Sequence, residues 1–384
     1  MSRKLICYFQ ETEPNSSAVA IRAKYFIAAI QKNLRASIRI VQVLTATGHD
    51  NANESDGVEY IRFSGGRSDE GVSAVKRIFA EIFFGIKSLF WLVLNHRNSF
   101  LIVSSPNYLP ALFLTLTAKF LRVRYILDIR DVYPEAYAQS GLIGDSSVIY
   151  KIFVFASRVM YDNASAIIVA TEGLRKSISK AKCEVTTIYN GFPSDLMALK
   201  ARKHKKFTVC FHGVMGYFQD IEKLVELIKH PDLHDVDFVV IGYGRKSDLI
   251  QSLKSQNCRF LGRLSHNETM HQISMCHLGI SIRVNNKISQ DSFPVKVWEY
   301  IGLGIPSIVY PESEAGEFLS SRNCGVQLSS NKVDDIAEII LNIKSNNSLY
   351  EVMAESCRLN RISYTRETLS KNFSEILGTF LKDS

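Results

Sequence analysis

The sequence predicts an α/β fold with two doubly wound domains, each a parallel sheet with helices on both faces. The chain has 384 residues, more than the roughly 250 to 300 that one hydrophobic core serves. Strand-like runs alternate with helix-like stretches, which is typical of a parallel sheet, and the alternation begins again after residue 206. Between the two series, residues 198–206 are polar and basic without apolar periodicity, as expected of a linker.

The strand-like runs also set the predicted domain boundaries. We place the first domain at residues 1–197 and the second at residues 207–363, followed by a helix at residues 364–384. The apolar positions of this last segment keep helical spacing and are Leu369, Phe373, Ile376, Leu377 and Phe380. The predicted strands are Leu5–Tyr8, Ile38–Leu44, Leu101–Val103, Tyr125–Leu127, Ala166–Val169 and Thr186–Ile188, then Phe207–Phe211, Asp237–Ile241, Arg259–Phe260, His277–Ser281, Ser307–Tyr310 and Gly325–Gln327.

Composition indicates a globular protein of a reducing compartment. Hydrophobic residues make up 46% and charged residues 22% of the chain, the balance of an ordinary globular protein. The 7 cysteines are scattered and have no Cys-x-x-Cys spacing, which argues against a disulfide scaffold and a structural zinc site. The N-terminus enters a strand-like run without an apolar signal region. We therefore expect a cytoplasmic protein with no metal site and no cofactor.

The positive charge is concentrated in the first half of the chain. Lys and Arg minus Asp and Glu give 24 − 17 = +7 for residues 1–200 and 22 − 21 = +1 for residues 201–384, which recovers the net +8. Nucleic acid, an anionic membrane surface or a phosphorylated substrate would each explain this excess. A stripe of basic residues with interleaved aromatics and a recognition motif are both lacking, so we expect no nucleic-acid partner.

A helix at residues 73–95 is a candidate for membrane contact. Its apolar run is short for a membrane span and contains Glu81 and Lys87. The side predicted to face the core carries Ile78, Phe79, Ile82, Phe83, Ile86, Leu89, Phe90 and Val93. The opposite side carries Lys76, Phe84, Lys87 and Trp91, a mixture that suits the headgroup layer of an anionic bilayer. The alternative is that Phe84 and Trp91 pack beneath a neighbouring helix.

Residues 289–306 form the most informative segment. The pattern predicts a helix from about Val295 to Leu303, preceded by Pro294 and capped by Gly304. Lys296 and Glu299 then share one face in the first turn. A helix N-terminus with an added cation favours a diphosphate, and an acidic residue one turn on suits ribose hydroxyls. The alternative is an ordinary surface Lys–Glu pair.

Glycine turns follow two predicted strands of the second domain. Gly213 and Gly216 come after the strand that ends at Phe211, and Gly242 and Gly244 come after the next one. Backbone without a Cβ can approach a phosphate closely. The second pair lacks the third glycine of a dinucleotide fingerprint, and neither pair is followed by a Walker lysine. The turns therefore favour a phosphate ligand other than NAD or a P-loop nucleotide.

These motifs, in this order, resemble glycosyltransferase family four of the GT-B fold, most closely its bacterial O-antigen and capsule members. The resemblance covers nearly the whole chain and includes Asp128-Ile129-Arg130-Asp131-x-Tyr133-Pro134-Glu135 and Phe293-Pro294-x-Lys296-x-x-Glu299. It implies two Rossmann-like domains facing a central cleft, with residues 364–384 packing back on the first domain.

The resemblance also implies roles for individual residues. Catalytic roles fall to Lys296, Arg130 and Asp131. The implied donor-binding residues are Gly213, Gly216, Arg263, Leu264, Asp291, Lys296, Glu299 and Ser17. Asn15, Ser16 and Glu135 would lie on the acceptor side. Two departures stand out: Asp291 replaces the first glutamate of the family's Glu-x7-Glu pair, and the basic residues that follow the glycine turn in many relatives are replaced by Gln219 and Asp220.

The implied function is transfer of a hexosyl unit with retention, from a nucleoside-diphosphate donor to a saccharide or polyprenyl-linked acceptor. A UDP-sugar is favoured over a GDP-sugar, the product belongs to a bacterial surface polysaccharide, and the enzyme is peripheral at the inner face of the cell membrane. Two alternatives stay open. One is a nucleotide-sugar epimerase of GT-B-like fold, and the other is a catalytically silent subunit that binds a nucleotide sugar.

Overall fold

The computed structural model describes residues 3–10, 18–34, 38–45, 57–64, 74–105, 107–139 and 143–382. The chain divides into two compact units. Unit 1 comprises Met1–Tyr189 with Ser370–Ser384, and unit 2 comprises Asn190–Leu369. Each unit is a parallel-sheet α/β structure, so the predicted fold class of two Rossmann-like units is confirmed. The predicted linker, residues 198–206, lies within unit 2.

The described part of unit 1 contains a seven-stranded sheet in the order β3-β2-β1-β4-β5-β6-β7, with every neighbouring pair parallel. The strands are β1 (Arg3–Gln10), β2 (Ile38–Thr45), β3 (Val58–Phe63), β4 (Ser99–Ser104), β5 (Tyr125–Ile129), β6 (Ala166–Val169) and β7 (Val185–Thr187). The helices between them are α1 (Ala18–Leu34), α2 (Ala74–Asn95), α3 (Tyr108–Phe120), α4 (Glu135–Gln139), α5 (Val148–Asp162) and α6 (Glu172–Ser177).

Alternating side chains along β1 place helices on both faces of this sheet. Phe9 points toward α1, where its ring lies 6.4 Å from Phe26. Tyr8 points the other way and donates from its hydroxyl to the carbonyl of Ser88 in α2. On this second face α3 packs beside both α2 and α5. Gly85 permits the close approach of α2 to α3, because a Cβ there would lie 2.7 Å from the ring of Phe113.

Helix α2 buries a stripe that differs from the predicted one, although Ile78 and Ile82 pack against the core of unit 1 as predicted. Phe84 is only 1% exposed and lies in the core of unit 1, and Trp91 is half-buried against that core. Phe79, Phe83 and Phe90, which were expected to face the core, are exposed. The assignment of Phe84 and Trp91 to a membrane-facing surface is therefore wrong. The helix is apolar around most of its circumference, so helical periodicity alone does not decide which stripe the sheet covers.

The other two members of the predicted surface are cations. The side chain of Lys76 is exposed. Lys87 is half-buried, and its ammonium lies 4.0 Å from the ring centroid of Phe83. Lys87 therefore accompanies the exposed aromatic stripe of α2, whereas Phe84 belongs to the buried one.

Unit 2 contains a six-stranded parallel sheet in the order β10-β9-β8-β11-β12-β13. The strands are β8 (Thr208–Val214), β9 (Asp237–Tyr243), β10 (Cys258–Phe260), β11 (Leu278–Ile282), β12 (Ser307–Tyr310) and β13 (Gly325–Gln327). The helices are α7 (Ile221–Ile228), α8 (Ser247–Gln251), α9 (His266–Ser274), α10 (Lys287–Gln290), α11 (Val295–Gly302), α12 (Glu314–Ser321), α13 (Val333–Ser345) and α14 (Asn347–Asn360).

The two sides of the second sheet are covered by different helices. Helices α7 and α13 pack together over a core that includes Phe211 and Val240. On the other side, Tyr300 of α11 donates its hydroxyl to the carbonyl of Cys210. Gly279 leaves room for that ring, since a Cβ there would lie 2.5 Å from it. This packing fixes α11 against β8 and β11.

The last helix of the chain, α15 (Arg366–Lys382), contributes to both units. Its first residue, Arg366, donates its backbone N–H to the carbonyl of Phe192 within unit 2. Within unit 1, Phe373 stacks on Phe26 at 3.9 Å between ring centroids, and Asn33 donates to Ser374 at 2.6 Å. The proposal that this helix ties the two halves together across a cleft stays a prediction.

Candidate functional site

The candidate site of unit 2 lies at the carboxyl ends of its central strands, where ligands bind in open parallel sheets. Gly213, the last residue but one of β8, has a φ of 116°, and Gly242 in β9 has a φ of 147°. A Cβ at Gly242 would lie 2.0 Å from the carbonyl oxygen of Gly213, so only glycine fits there. A Cβ built on Gly213 would lie 3.7 Å from the ammonium of Lys296. The structure thus brings two predicted residues, Gly213 and Lys296, together.

Helix α11 holds the predicted Lys–Glu pair and is buried along its length. Pro294 is its N-cap, Leu303 its C-cap, and Gly304 follows with φ of 70°, the left-handed conformation that ends many helices. Lys296 is 8% and Glu299 6% exposed. This burial excludes the alternative of an ordinary surface ion pair.

Lys296 is a buried cation with weak polar partners. Its ammonium donates to the amide oxygen of Gln219 at 3.0 Å and lies 3.8 Å from the ring centroid of Phe211. Burial lowers the pKa of Lys296 to about 7, the charge of Arg283 lowers it further, and Glu299 partly offsets both effects. An anion bound beside the ammonium would restore its charge.

Arg283 is a second buried cation that the sequence analysis missed. It directly follows β11 and is buried. Its guanidinium donates to the hydroxyl of Ser292, while its Nε atom has no hydrogen-bond partner among the described residues. Burial lowers the pKa of Arg283 to about 10, so it stays charged at neutral pH. An arginine immediately after a strand without charged residues is the signal that would have indicated it.

Glu299 is flanked by two histidines, neither of which was predicted. Its Oε1 atom lies 3.0 Å from Nε2 of His266, and its Oε2 atom lies 3.4 Å from Nε2 of His212. Burial would raise the pKa of Glu299, but the hydrogen bond with His266 and the nearby charge of Arg366 lower it. Burial lowers the pKa of His212 to about 4, so this imidazole is neutral at pH 7. The site therefore holds an ionised carboxylate beside two cations.

The remaining predicted residues of unit 2 lie after β8, before α9 and at the end of α10. Gly216 lies in the turn after β8. Arg263 is exposed, and its guanidinium lies 4.5 Å from the ring centroid of Tyr243. Leu264 is half-buried, directly before the N-cap of α9. Asp291 is the C-cap of α10 and accepts a hydrogen bond from Lys287 at 2.7 Å.

The predicted residues of unit 1 follow β5. Arg130 is half-buried, Asp131 is exposed, and Glu135 is half-buried at the first position of α4. Just before them, Asp128 forms a buried ion pair with Arg22 at 2.9 Å, which fixes the end of the strand. The predicted residues Asn15, Ser16 and Ser17 lie outside the described residues.

An aromatic cluster supports the same segment. Tyr133 stacks on Tyr108 at 5.2 Å and meets Tyr137 edge-on at 4.9 Å. The hydroxyl of Ser157 donates to the carbonyl of Tyr133 at 3.0 Å. These contacts anchor residues 133–137, so the polar residues on either side of Tyr133 are held at the carboxyl edge of the first sheet.

We expect the Lys296→Met variant to be more stable than the wild type at neutral pH. Because the pKa of Lys296 is about 7 in the fold and near 10.4 in unfolded chains, the unfolded state binds more protons between these values. Wild-type stability should therefore rise with pH in this window, by up to about 1.4 kcal/mol per pH unit. Denaturant titrations from pH 6 to 9 measure this slope.

The matched control for this prediction is Lys254→Met, which replaces an exposed lysine of the same unit. It should keep the pH slope of the wild type. A wild-type slope that survives unchanged in Lys296→Met would contradict the assigned pKa.

Two comparisons with known proteins match the part of the chain that holds this site. Residues 195–359 match the family model described as "Glycosyl transferases group 1". The probable glycosyltransferase WbjE of Pseudomonas aeruginosa is 25% identical over 333 residues, which cover 79% of this chain and 77% of WbjE.

Solved structures share the fold over almost the entire chain. HepE of Anabaena in complex with UDP has a TM-score of 0.68 at 14% identity, covering 98% of this chain and 100% of HepE. Sucrose-phosphate synthase from Thermosynechococcus elongatus has a TM-score of 0.74 at 13% identity, covering 100% of both chains. Residues 195–359 are thus similar to the group 1 glycosyltransferases, the chain as a whole is similar to WbjE, and the solved structures show that it shares their GT-B fold.

Proposed function

We propose that the chain is a retaining glycosyltransferase that moves a hexosyl unit from a nucleoside-diphosphate sugar, UDP-linked in preference to GDP-linked, to a saccharide or polyprenyl-linked acceptor. The product would belong to a bacterial surface polysaccharide. The observation that carries the proposal is the buried ammonium of Lys296 beside the bare backbone of Gly213. HepE, which shares the fold, is in complex with UDP, and this supports a uridine nucleotide as the donor.

The diphosphate would bind between Lys296 and Arg283. Both cations are buried, and burial lowers the pKa of each, so the empty site is electrostatically unfavourable. A diphosphate would supply the opposite charge and hydrogen-bond acceptors for the ammonium and for Nε of Arg283. In this proposal Arg283, from the end of β11, takes the place of the basic residues that the turn after Gly213 lacks.

The ribose would bind at Glu299. Its carboxylate is ionised and buried, and an ionised carboxylate accepts hydrogen bonds from two vicinal hydroxyls. His266 now holds one of the two oxygens, and its side chain is solvent-accessible, so it has room to turn aside when a diol binds. His212 is buried, and its Nε2 atom lies 3.4 Å from the other oxygen without a hydrogen bond among the described residues. The base would lie near Arg263 and Leu264.

The chemistry would follow from these charges. Transfer breaks the bond between the sugar and the donor phosphate, so negative charge grows on the leaving diphosphate in the transition state. Lys296 and Arg283 are held in place to stabilise that charge, and one such donor typically contributes about 3 kcal/mol. Arg130 and Asp131 of unit 1 are proposed to act beside the reacting sugar, and Glu135 on the acceptor side.

We also infer a cytoplasmic location with peripheral attachment to the inner face of the cell membrane. The support is the +7 carried by residues 1–200 and the proposed polyprenyl-linked acceptor, which would lie at that face. An anionic leaflet attracts a basic protein surface, and the attraction falls off within a Debye length of about 8 Å at physiological salt.

Two assays separate this proposal from its alternatives. Incubation with UDP-, GDP- and ADP-sugars and a lipid or saccharide acceptor should release the nucleoside diphosphate only with acceptor present, and the anomeric configuration of the product should match that of the donor. An epimerase would change the donor sugar without any acceptor. A silent subunit would bind UDP, seen as a shift of the unfolding temperature, and release nothing.

Lys296→Ala should lower kcat/KM for sugar transfer about a hundredfold or more, because a charge that acts in the transition state is removed. Glu299→Gln should lower kcat/KM at least about tenfold, because the carboxylate that accepts the ribose hydroxyls is neutralised. Initial rates of diphosphate release measure both effects. Lys254→Ala, at an exposed position, is the control and should have wild-type rates. Near-normal turnover in both folded site variants would refute the site.

Arg283→Gln should weaken UDP binding about tenfold to a hundredfold, whereas uridine binding should be unchanged, because only the diphosphate meets this cation. Arg283→Lys, which keeps the charge, should have a UDP affinity between those of wild type and Arg283→Gln. Isothermal titration with UDP and uridine gives the two affinities, with Arg259→Gln, an exposed arginine of β10, as the control. Equal losses for UDP and uridine would mean that Arg283 only supports the fold of the site.

A further inference from the structure

We propose that the outer apolar face of α2, α3 and α5 is a lipid-insertion surface, with which unit 1 enters one leaflet of an anionic bilayer. We call this face the apolar shelf and define it by Phe79, Phe83, Phe90, Phe120, Ile149 and Phe155, all of which are exposed. The inference rests on the proposed function in one respect: the apolar shelf would supply the membrane contact that a lipid-linked acceptor requires.

The residues of the apolar shelf come from three neighbouring helices. Helix α3 packs beside both α2 and α5 on one face of the sheet. Phe79 of α2 is 66% exposed, Phe120 at the end of α3 is 86% exposed, and Phe155 of α5 is 70% exposed. Exposed apolar surface spread over adjacent elements marks an interaction site, because isolated large apolar side chains on a surface need no such explanation.

Helix α2 is as apolar as a membrane helix but is held on the sheet. Its segment Ile78–Asn95 has a mean hydropathy of 1.6 over 18 residues, yet only 28% of the segment is buried. The helix connects β3 to β4, and its inner stripe, with Phe84 and Leu92, fills the core. Leaving the sheet to span a bilayer would expose that core. The geometry therefore favours a helix that lies in the plane of the interface with its outer stripe in the acyl region.

The charges of the three helices select an anionic lipid surface. Their acidic residues turn away from the shelf or are paired: Glu81 is buried and accepts from the hydroxyl of Tyr137 at 3.1 Å, and Asp162 lies 3.8 Å from Arg158. The basic residues of these helices are Lys76, Arg77, Lys87, Lys119, Lys151 and Arg158. Cations around an apolar face suit lipid phosphates at the level of the headgroups.

The same charges disfavour a second copy of the chain as the occupant. Two copies facing each other through the apolar shelf would bring the exposed side chains of Lys119 and Lys151 in one copy toward those in the other. Like charges brought together at an interface oppose association. A phospholipid leaflet suits both the apolar residues and the cations, since its acyl region can contact the phenylalanines and its phosphates can bind the lysines.

The test is co-sedimentation of the full chain with vesicles, comparing wild type with a Phe79→Ser, Phe90→Ser double variant. Wild type should bind vesicles of phosphatidylethanolamine with phosphatidylglycerol and should keep part of this binding in high salt, because apolar insertion is not screened. The double variant should bind at least about tenfold more weakly. The matched control is Leu359→Ser with Ile362→Ser, two exposed apolar residues of unit 2, and should bind like wild type.

Three outcomes would overturn the inference. The first is that wild type does not bind vesicles, and the second is that the control variant loses as much vesicle binding as the Phe79→Ser, Phe90→Ser variant. The third is that light scattering shows a wild-type dimer that becomes a monomer in the Phe79→Ser, Phe90→Ser variant. UDP binding, measured in parallel, keeps the two proposals separate. Vesicle binding without UDP binding would contradict the proposed function and leave the apolar shelf in place, whereas UDP binding without vesicle binding would do the reverse.

Discussion

The account of unit 2 depends on one constraint: a lysine ammonium is buried, and no carboxylate of the described residues is directly hydrogen-bonded to it. Lys296 donates to the amide of Gln219 and lies over the ring of Phe211, while the nearby carboxylate of Glu299 is held by His266. Taking a charge out of water costs several kcal/mol unless a partner offsets it. The site therefore holds buried positive charge that Glu299 offsets in part and that a bound anion would offset further, which supports the proposed recognition of a diphosphate.

The local structure of unit 2 keeps that site open and rigid. The close contact of Gly242 with the carbonyl of Gly213 lets the two strands end in bare backbone beside the ammonium. Trp298 of α11 stacks on Phe293 at 4.0 Å between ring centroids, which helps to hold the start of α11 in place. The buried pair of Arg22 and Asp128 has a comparable positioning role in unit 1, where it fixes the strand that precedes Arg130.

Local sequence patterns predicted much of this arrangement. The helix at Val295 and every strand except β3 follow from local order, because residues close in sequence control those features. The proximity of Lys296 to Gly213, which are far apart in sequence, was instead an expectation from the family resemblance. Arg283, His212 and His266 were missed because they reach the site from three separate elements, and only the sheet topology brings them together. The exposed face of α2 was assigned to the wrong stripe, since Phe84 and Phe83 are equally apolar and the choice depends on the shape of the sheet beneath.

The most direct test of the central claim is the proton balance of UDP binding, measured by titration calorimetry at pH 7 in buffers of different ionisation heats. With a pKa of about 7, Lys296 is about half-protonated in the empty site, and a bound diphosphate should complete its protonation. Wild type should therefore take up about half a proton more than Lys296→Met. Taking the difference between the two proteins removes the contribution of groups that they share, including the nucleotide. Equal proton uptake by the two proteins would contradict the assignment of Lys296 to the phosphate.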